Sequence, residues 1–352
     1  MNTRERMNSI DGLKGFSCLV IMIYHYMDAY IVVNEFPGFH PIRFAFCFVE
    51  VFMAISGFMM AYNYKDRIKD MNFIPYFAKR YFKLMPLYWL TSIFAYIFAI
   101  LGYYKGFRPD FSRNTLQVIL EFSGFYYGWF GITSVQTNMV LWVISVLLLC
   151  YILYFVICKL SKKSNNIYIL LVAFIFVASE SGLFPFLERD QIRIIASFMF
   201  GALLYELYLR ISQFGGKLIS LCMAVIVVLT SIYIGIAQTG SLDAFGFNFY
   251  LMVILILCPL TIYGAIYVRP VKWLFETKVF QYIGKISMSV YMWHLIASDY
   301  FWKLDNRFTS NIYFILVKTI LMIVIASVSC FLVEPMWNKM LGALGSKMKK
   351  QS

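Results

Sequence analysis

Three ionisable side chains stand in the first apolar stretch of the sequence, where a charge is costly. Asp11, Lys14 and His25 belong to the run IDGLKGFSCLVIMIYH, and ionisable groups inside a membrane helix usually mark function. On an α-helix, Lys14 and His25 lie about 20° apart around the axis and roughly 16 Å apart along it. Asp11 lies three residues before Lys14 on nearly the same stripe. The spacing therefore predicts one helix face that carries a carboxylate, an ammonium and an imidazole from the cytoplasmic end toward the membrane interior.

This face carries the groups that an acyl or proton transfer needs. Imidazole changes its protonation state near neutral pH, so His25 is suited to act as a base or as a transient carrier of a reacting group. The cation Lys14, near the membrane surface, is suited to an anionic ligand. A plainer reading stays open, in which Lys14 reaches the lipid headgroups and His25 is a hydrogen-bonding residue of the bundle interior.

The composition places the chain in a membrane. Of the 352 residues, 61% are apolar and only 14% are charged, and the mean hydropathy is +0.72. Because a soluble domain carries far more polar surface, the sequence predicts an all-α, polytopic integral membrane protein. The net charge of +13 comes from basic residues between the apolar runs, where membrane topology explains them better than nucleic-acid binding does.

Ten apolar segments are near the length of about twenty residues that a helix needs to cross a bilayer. They are residues 12–32, 44–64, 84–103, 139–159, 167–184, 192–210, 217–236, 247–267, 285–302 and 311–333. If the N-terminus is cytoplasmic, 22 of the 31 Lys and Arg residues lie inside and 8 lie outside, with Lys318 within a segment. This bias follows the positive-inside rule and predicts that both termini are cytoplasmic.

One apolar and aromatic stretch, residues 116–134, falls where this count requires an external loop. We expect it to be interfacial or re-entrant, because a true span would reverse the orientation of everything after it. We expect one transmembrane domain over residues 1–340 and a short basic cytoplasmic tail over residues 341–352. The seven cysteines lack the spacing of metal ligands, so neither a disulfide nor a metal site is expected.

Four further stretches carry polar residues that a plain helix bundle would not need. They are Glu50 with Ser56 and Gly57, Arg80 and Lys83 before Pro86, the stripe Ser287, Tyr291, His294 and Ser298, and Glu334 with Pro335. We expect the two loop cations to project together from the membrane surface and Pro335 to end the last helix. Each stretch also has a structural explanation: helix packing, positive-inside anchoring, a hydrogen-bonded core histidine and a solvated acid.

Taken in order, these stretches resemble the motifs of the bacterial membrane-bound acyltransferase family 3. The resemblance covers essentially the whole chain, and the order and spacing of the motifs are more specific than any one match. The matching residues are Asp11, Gly12, Leu13, Lys14 and His25; Glu50, Phe52, Ser56, Gly57 and Phe58; Arg80, Lys83 and Pro86; residues 198–201; Gly284, Ser287, Ser289, Tyr291 and His294; and Glu334 with Pro335.

The chain departs from the family pattern at three places. Lys14 and Lys83 stand where the family more often has Arg, and Lys presents a point charge rather than a bidentate fork. Residues 141–150 keep Trp142 but lack the Glu of the Trp-Ser-x-x-x-Glu motif that many members carry.

The resemblance implies a membrane O-acyltransferase of the bacterial plasma (inner) membrane. It would move an acetyl group from cytoplasmic acetyl-CoA to a hydroxyl of a cell-surface or secreted polysaccharide or of its lipid-linked precursor. No permanently bound cofactor or metal is implied, and the partners would be acyl-CoA, a glycan acceptor and the lipid bilayer. By this resemblance the catalytic residues are His25, Lys14 and Asp11, and the donor- or substrate-binding residues are Arg80, Lys83, Glu50, Ser56, Trp142, Ser287, Tyr291, His294 and Glu334.

Two other classes of protein remain open from the sequence. A transporter or flippase of a lipid-linked sugar also has about ten spans and buried ions, but the sequence shows no inverted repeat and no matching pair of broken helices. A membrane sensor or scaffold would need neither of the two buried histidines.

Overall fold

The fold is described here from a computed structural model. The described residues are 6–34, 45–101, 115–126, 129, 138–161, 167, 170–171, 173, 189–212, 216–223, 225, 250, 252–305, 312–337 and 339. Over these residues every regular element is helical, as the composition predicts, because a helix satisfies its own backbone groups in a medium without water.

Ten α-helices account for most of the described chain. They are α1 (Asn8–Asn34), α2 (Phe48–Tyr64), α3 (Phe73–Ile100), α4 (Thr115–Ser123), α5 (Leu141–Leu160), α6 (Arg189–Ile211), α7 (Cys258–Tyr267), α8 (Arg269–Glu276), α9 (Lys278–Asp305) and α10 (Ile312–Val328). Two short π-helical segments, Val253–Leu257 and Ser329–Val333, precede α7 and follow α10.

Contacts between helix ends give the direction in which each helix runs. The end of α2 lies beside the start of α3, where the Arg80 guanidinium stands 4.0 Å from the centre of the Tyr64 ring. The last turns of α6 are there too, because Lys65 pairs with Glu206. On α9, the first turns contact the Asp11 carbonyl of α1. We call this side of the molecule the first end of the bundle.

The opposite side, the second end, collects the later part of α1 and the starts of α2 and α6. Tyr24 of α1 lies 6.1 Å from Phe46 between ring centres, and Phe46 lies 6.1 Å from Tyr250. At the start of α6, the Arg193 guanidinium stands 4.5 Å from the Tyr250 ring. Helices α1, α3 and α9 therefore run from the first end to the second, and α2 and α6 run back.

These directions are those that a ten-span chain requires, but the count of ten stays a prediction. The predicted segments 167–184 and 217–236 lie largely outside the described residues. Within the described part, four helices are long and apolar enough to cross a membrane: Ala45–Tyr64, Leu141–Leu160, Asp190–Ile211 and Ile315–Trp337. A fifth is added if Val253–Tyr267 and Arg269–Glu276, which are bent by 81°, are taken as one broken span.

Glycines bring two pairs of helices into backbone contact. A Cβ atom at Gly15 of α1 would lie 2.5 Å from the backbone nitrogen of Gly284 on α9. In the second pair, a Cβ at Gly57 of α2 would overlap the Phe198 carbonyl of α6, and a Cβ at Gly201 of α6 would overlap the Ala54 carbonyl of α2. Small residues at such crossings allow the close helix approach that holds membrane bundles together.

The stretch 116–134 contains one short helix rather than a spanning one. Helix α4 has nine residues and ends at Gly124, whose positive φ of 76° suits glycine. The last α4 carbonyls accept hydrogen bonds from α3 side chains: Ser123 from Tyr81 at 2.9 Å and Phe122 from the Trp89 indole at 2.7 Å. The backbone of this helix end is thus satisfied inside the protein, as a re-entrant segment requires. Its position in the membrane stays a prediction.

Pro335 does not end the last helix, so that prediction is wrong. The helical stretch continues to Trp337, and the π-helical turn Ser329–Val333 directly precedes Glu334 and Pro335. A π turn widens the helix and shifts the carbonyls that a proline ring would otherwise meet. The same arrangement recurs where Val253–Leu257 precedes Pro259.

We predict that Gly201→Ala destabilises the bundle. The added methyl group would overlap the Ala54 carbonyl, and overpacking of this kind costs about 1 to 3 kcal/mol. The control is Gly216→Ala, where the nearest atom to the new Cβ is Cδ1 of Tyr267 at 3.8 Å, an ordinary contact. Thermal unfolding of the two purified variants in detergent measures the difference. Equal unfolding temperatures would contradict the close approach of α2 and α6.

We further predict that the first end faces the cytoplasm. A cysteine at Lys69, an exposed residue of that end, should not react with a membrane-impermeant thiol reagent in intact cells, whereas a cysteine at Met139, exposed at the second end, should react. Both are placed in a background in which the exposed Cys222 is changed to serine. Labelling at Lys69 without cell lysis would show that the predicted orientation is wrong.

Candidate active site

Helices α1 and α9 place two histidines side by side. The predicted polar stripes of these helices face each other: Cys18 donates to the Ser287 carbonyl at 2.9 Å, and the Tyr26 hydroxyl donates to the His294 carbonyl at 3.2 Å. The His25 and His294 rings are 5.1 Å apart between centres. The structure therefore brings together two imidazoles that are 269 residues apart in the sequence. We call them the histidine pair.

The hydrogen bonds of His294 define its tautomer. Its Nδ1 lies 2.7 Å from the Tyr291 carbonyl oxygen, and because a carbonyl only accepts, Nδ1 carries the proton. In the neutral ring, Nε2 is then an acceptor. The side chain is fully buried, and Nε2 has no hydrogen-bond partner among the described residues. Buried polar atoms are nearly always paired in native proteins, so this nitrogen is a candidate contact for a bound reactant.

At the first end, charged side chains from four helices lie within electrostatic range of one another. Glu334 interacts with Lys14 of α1, Lys83 of α3 and Lys285 of α9. Lys83 and Lys285 are exposed, whereas Lys14 is half-buried with its ammonium 5.6 Å from the centre of the Phe52 ring. We call these three lysines and Glu334 the lysine cluster. Lys285 was not among the residues predicted from the sequence.

A column of rings joins the lysine cluster to the histidine pair. The Phe52 ring, which lies beside Lys14, stacks on Tyr291 at 5.8 Å with an interplanar angle of 12°. Tyr291 in turn lies 5.7 Å from His294. Since α1 carries Lys14 and His25 eleven residues apart, the column covers roughly 16 Å along the bundle.

Asp11 is not brought to the histidine pair. It accepts from Arg6 at 2.6 Å, and fourteen residues of helix, roughly 21 Å, separate it from His25. Asp11 therefore lies at the first end, away from His25, and its catalytic role stays a prediction.

Arg80 and Lys83 do not project together from the surface, so that expectation is wrong, while their role in donor binding stays a prediction. The Arg80 guanidinium is enclosed by three tyrosine rings, 4.0 Å from Tyr64, 5.1 Å from Tyr76 and 5.0 Å from Tyr151. Lys83, one turn later, is exposed and faces the lysine cluster. The three rings belong to α2, α3 and α5, so Arg80 holds helices together through cation–π contacts.

At the second end, a buried arginine joins two acids and two aromatic rings. Arg193 pairs with Glu50, which is fully buried, and with Asp190 at 3.0 Å. Its guanidinium lies 5.8 Å from the Trp142 ring and 4.5 Å from the Tyr250 ring. We call these five residues the arginine cluster. Glu50 and Trp142 were predicted from the sequence, whereas Arg193 was counted only as a basic residue of an outer loop.

Aromatic contacts connect the arginine cluster to the histidine pair. Tyr24 lies 5.1 Å from His25 and 6.1 Å from Phe46, which lies 6.1 Å from Tyr250. Asn138, which precedes α5, contacts α9 through its amide nitrogen, which donates to the Met292 carbonyl at 2.9 Å. A series of mostly aromatic contacts therefore links the two clusters to the histidine pair.

The predicted hydroxyl residues are satisfied within their own helices. Ser56 donates to the Phe52 carbonyl, and Ser287 donates to the Gly284 carbonyl, each at 2.9 Å. Asp28, one turn beyond His25, could orient the His25 imidazole, but its side chain and that of Ser298 lie outside those that the structure describes.

The arrangement combines a basic nitrogen in the middle of the bundle with cations at one end and a polar cluster at the other. Comparisons with curated proteins and with solved structures give no match. A family model described as an acyltransferase domain matches residues 7–333, which is nearly the whole chain and includes both histidines and all members of the two clusters except Glu334. The chain therefore belongs to the acyltransferase 3 family.

Proposed function

We propose that this acyltransferase is an O-acetyltransferase of the bacterial inner membrane. It takes acetyl from cytoplasmic acetyl-CoA and transfers it to a hydroxyl of a cell-surface or secreted polysaccharide or of its lipid-linked precursor. The observation that supports this most directly is the histidine pair, in which the Nε2 acceptor of His294 is buried without a partner in the described part of the chain.

The donor enters at the first end in this proposal. Lys14, Lys83 and Lys285 hold the phosphates of acetyl-CoA by charge-assisted hydrogen bonds, and Glu334 orients the ammonium groups while no donor is bound. The acetyl thioester, at the end of the long arm of the donor, follows the column of rings to the histidine pair. Exposed Lys83 and Lys285 let the charged part of the donor stay in water.

The chemical step takes place at His25. The imidazole removes the proton of the acceptor hydroxyl as its oxygen attacks the thioester carbonyl, a C–O bond forms and the C–S bond breaks. The proton then passes to the departing thiolate, so CoA leaves as a thiol. His294 supports the step from 5.1 Å away, because its Nδ1–H is held by Tyr291 and its Nε2 can accept from the hydroxyl or from the protonated His25 ring.

We predict that His25→Ala abolishes acetyl transfer. Loss of a positioned base lowers the rate by roughly 10² to 10⁴-fold, which is measured as release of CoA thiol from acetyl-CoA by the purified protein. The control is Met27→Ala, a truncation of similar size two residues further along α1, which should keep near-normal activity. A His25→Ala protein that is monodisperse and as active as the control would overturn the mechanism. If the wild type instead moves a lipid-linked sugar across the membrane without using acetyl-CoA, the protein is a flippase.

A second assay, with radiolabelled donor, distinguishes His25 as a base from His25 as a covalent carrier of the acetyl group. Radiolabelled acetyl-CoA is added without an acceptor, and the denatured protein is tested for label. If His25 is the base, no label is retained. Label that stays on the wild type but not on His25→Ala would show instead that His25 carries the acetyl group.

We predict that Lys83→Gln raises the KM for acetyl-CoA by roughly tenfold, since one charge-assisted hydrogen bond to a phosphate is lost. Lys79→Gln is the matched control, because Lys79 is also exposed, lies one turn earlier on α3 and is not part of the lysine cluster. Arg80→Gln should lower the unfolding temperature instead. If Lys79→Gln and Lys83→Gln change the KM equally, the effect comes from general surface charge and not from a contact of Lys83 with the donor.

A further inference from the structure

The arginine cluster takes no part in donor binding in the proposed mechanism, although burying its charged groups costs free energy. Taking charges out of water costs several kcal/mol for each ion, and the ion pair regains this only with good geometry and further hydrogen bonds. Glu50 is fully buried and bonds Arg193 through one oxygen, but its other oxygen, Oε2, has no partner among the residues that the structure describes. This orphan acceptor requires a donor.

A second orphan acceptor belongs to Asn138, at the same end of the bundle. Asn138 is fully buried, and its amide nitrogen is occupied by the Met292 carbonyl. Its Oδ1 has no partner within the described ranges. Asn138 stands four residues before Trp142, which belongs to the cluster. The second end therefore holds two buried acceptors, each in need of a hydrogen-bond donor.

We infer that the arginine cluster binds the acceptor substrate and that this acceptor is a neutral sugar. Sugar hydroxyls are donors that suit Glu50 Oε2 and Asn138 Oδ1. The half-buried rings of Trp142 and Tyr250 supply flat apolar surface of the kind that ligand sites combine with a few placed polar groups. The inference rests on the proposed function, since it names the acceptor of that reaction.

The charge of the cluster selects a neutral ring over an acidic one. Glu50 and Asp190 together outnumber Arg193, so the ionised cluster carries one net negative charge over its described residues. Arg193 already pairs with both carboxylates and is not available as the sole partner of a third. A carboxylate on the sugar would meet like charge in a poorly solvated site, which is strongly unfavourable.

The position of the cluster suits an acceptor that arrives opposite the donor. Asp190 is 52% exposed, whereas Glu50 is fully buried, so the cluster leads from the surface of the second end inward. The aromatic contacts from Tyr250 through Phe46 and Tyr24 then lead from the cluster toward His25. Donor and acceptor thus meet at the histidines from opposite ends.

The test uses the full-length protein in detergent with acetyl-CoA and two simple acceptors, methyl glucopyranoside and the matching methyl glucuronoside. The readout is the acetylated sugar by mass spectrometry. We expect the neutral sugar to be acetylated with a kcat/KM at least about tenfold higher than the acidic one, because like charges repel in the site. Asp190→Asn, a change at a half-exposed position, removes the net charge and should bring the two values closer together.

Tyr250→Leu tests the ring surface. It should raise the KM for methyl glucopyranoside, whereas Tyr313→Leu, a change at an exposed tyrosine near the start of α10, should not. Equal acetylation of the two sugars by the wild type, or a ratio that Asp190→Asn does not change, would overturn the inference. The inference would also be overturned if the protein acetylated neither sugar while its acetyl-CoA turnover still depended on His25. That result would leave the proposed function intact.

Discussion

The close approach of α1 and α9 is the contact on which the candidate site depends. Gly15 and Gly284 carry no side chain, so the two backbones touch, and a Cβ atom on either would have no room. Ten residues further along each helix, His25 and His294 consequently stand 5.1 Å apart between ring centres. In a membrane the hydrophobic effect does not drive helices together, because lipid tails are as apolar as the side chains. Close packing at small residues provides the attraction instead.

Charge pairing is the second constraint, because a low-dielectric interior penalises every unpaired ion. The described part of the bundle satisfies it in three ways: an ion pair at Arg193 with Glu50, a second at Lys65 with Glu206, and aromatic rings around Arg80. These contacts join α2 to α6 and α2 to α3. The same pairing that stabilises the bundle also sorts charge along its axis, with cations toward one end and a net negative cluster at the other.

Sequence motifs and tertiary contacts agree best where one helix carries the whole pattern. The helical period alone placed Lys14 and His25 on one face and Ser287, Tyr291 and His294 on another, and the structure turns these faces toward each other. Agreement is poorest where the surroundings of a side chain come from other helices. Arg80 and Lys83 lie one turn apart on α3, but Arg80 is enclosed by tyrosine rings of α2, α3 and α5, whereas Lys83 is exposed.

What the sequence determined by itself is the membrane class, the helical content and the family, because apolar length and motif order are properties of the linear chain. Only the tertiary structure decided that Glu50 pairs with Arg193 and that Lys285 joins Lys14 and Lys83. These contacts cross between helices far apart in the sequence. They depend on how each helix is rotated and how closely its neighbours approach, and these quantities are set by packing of all the helices together.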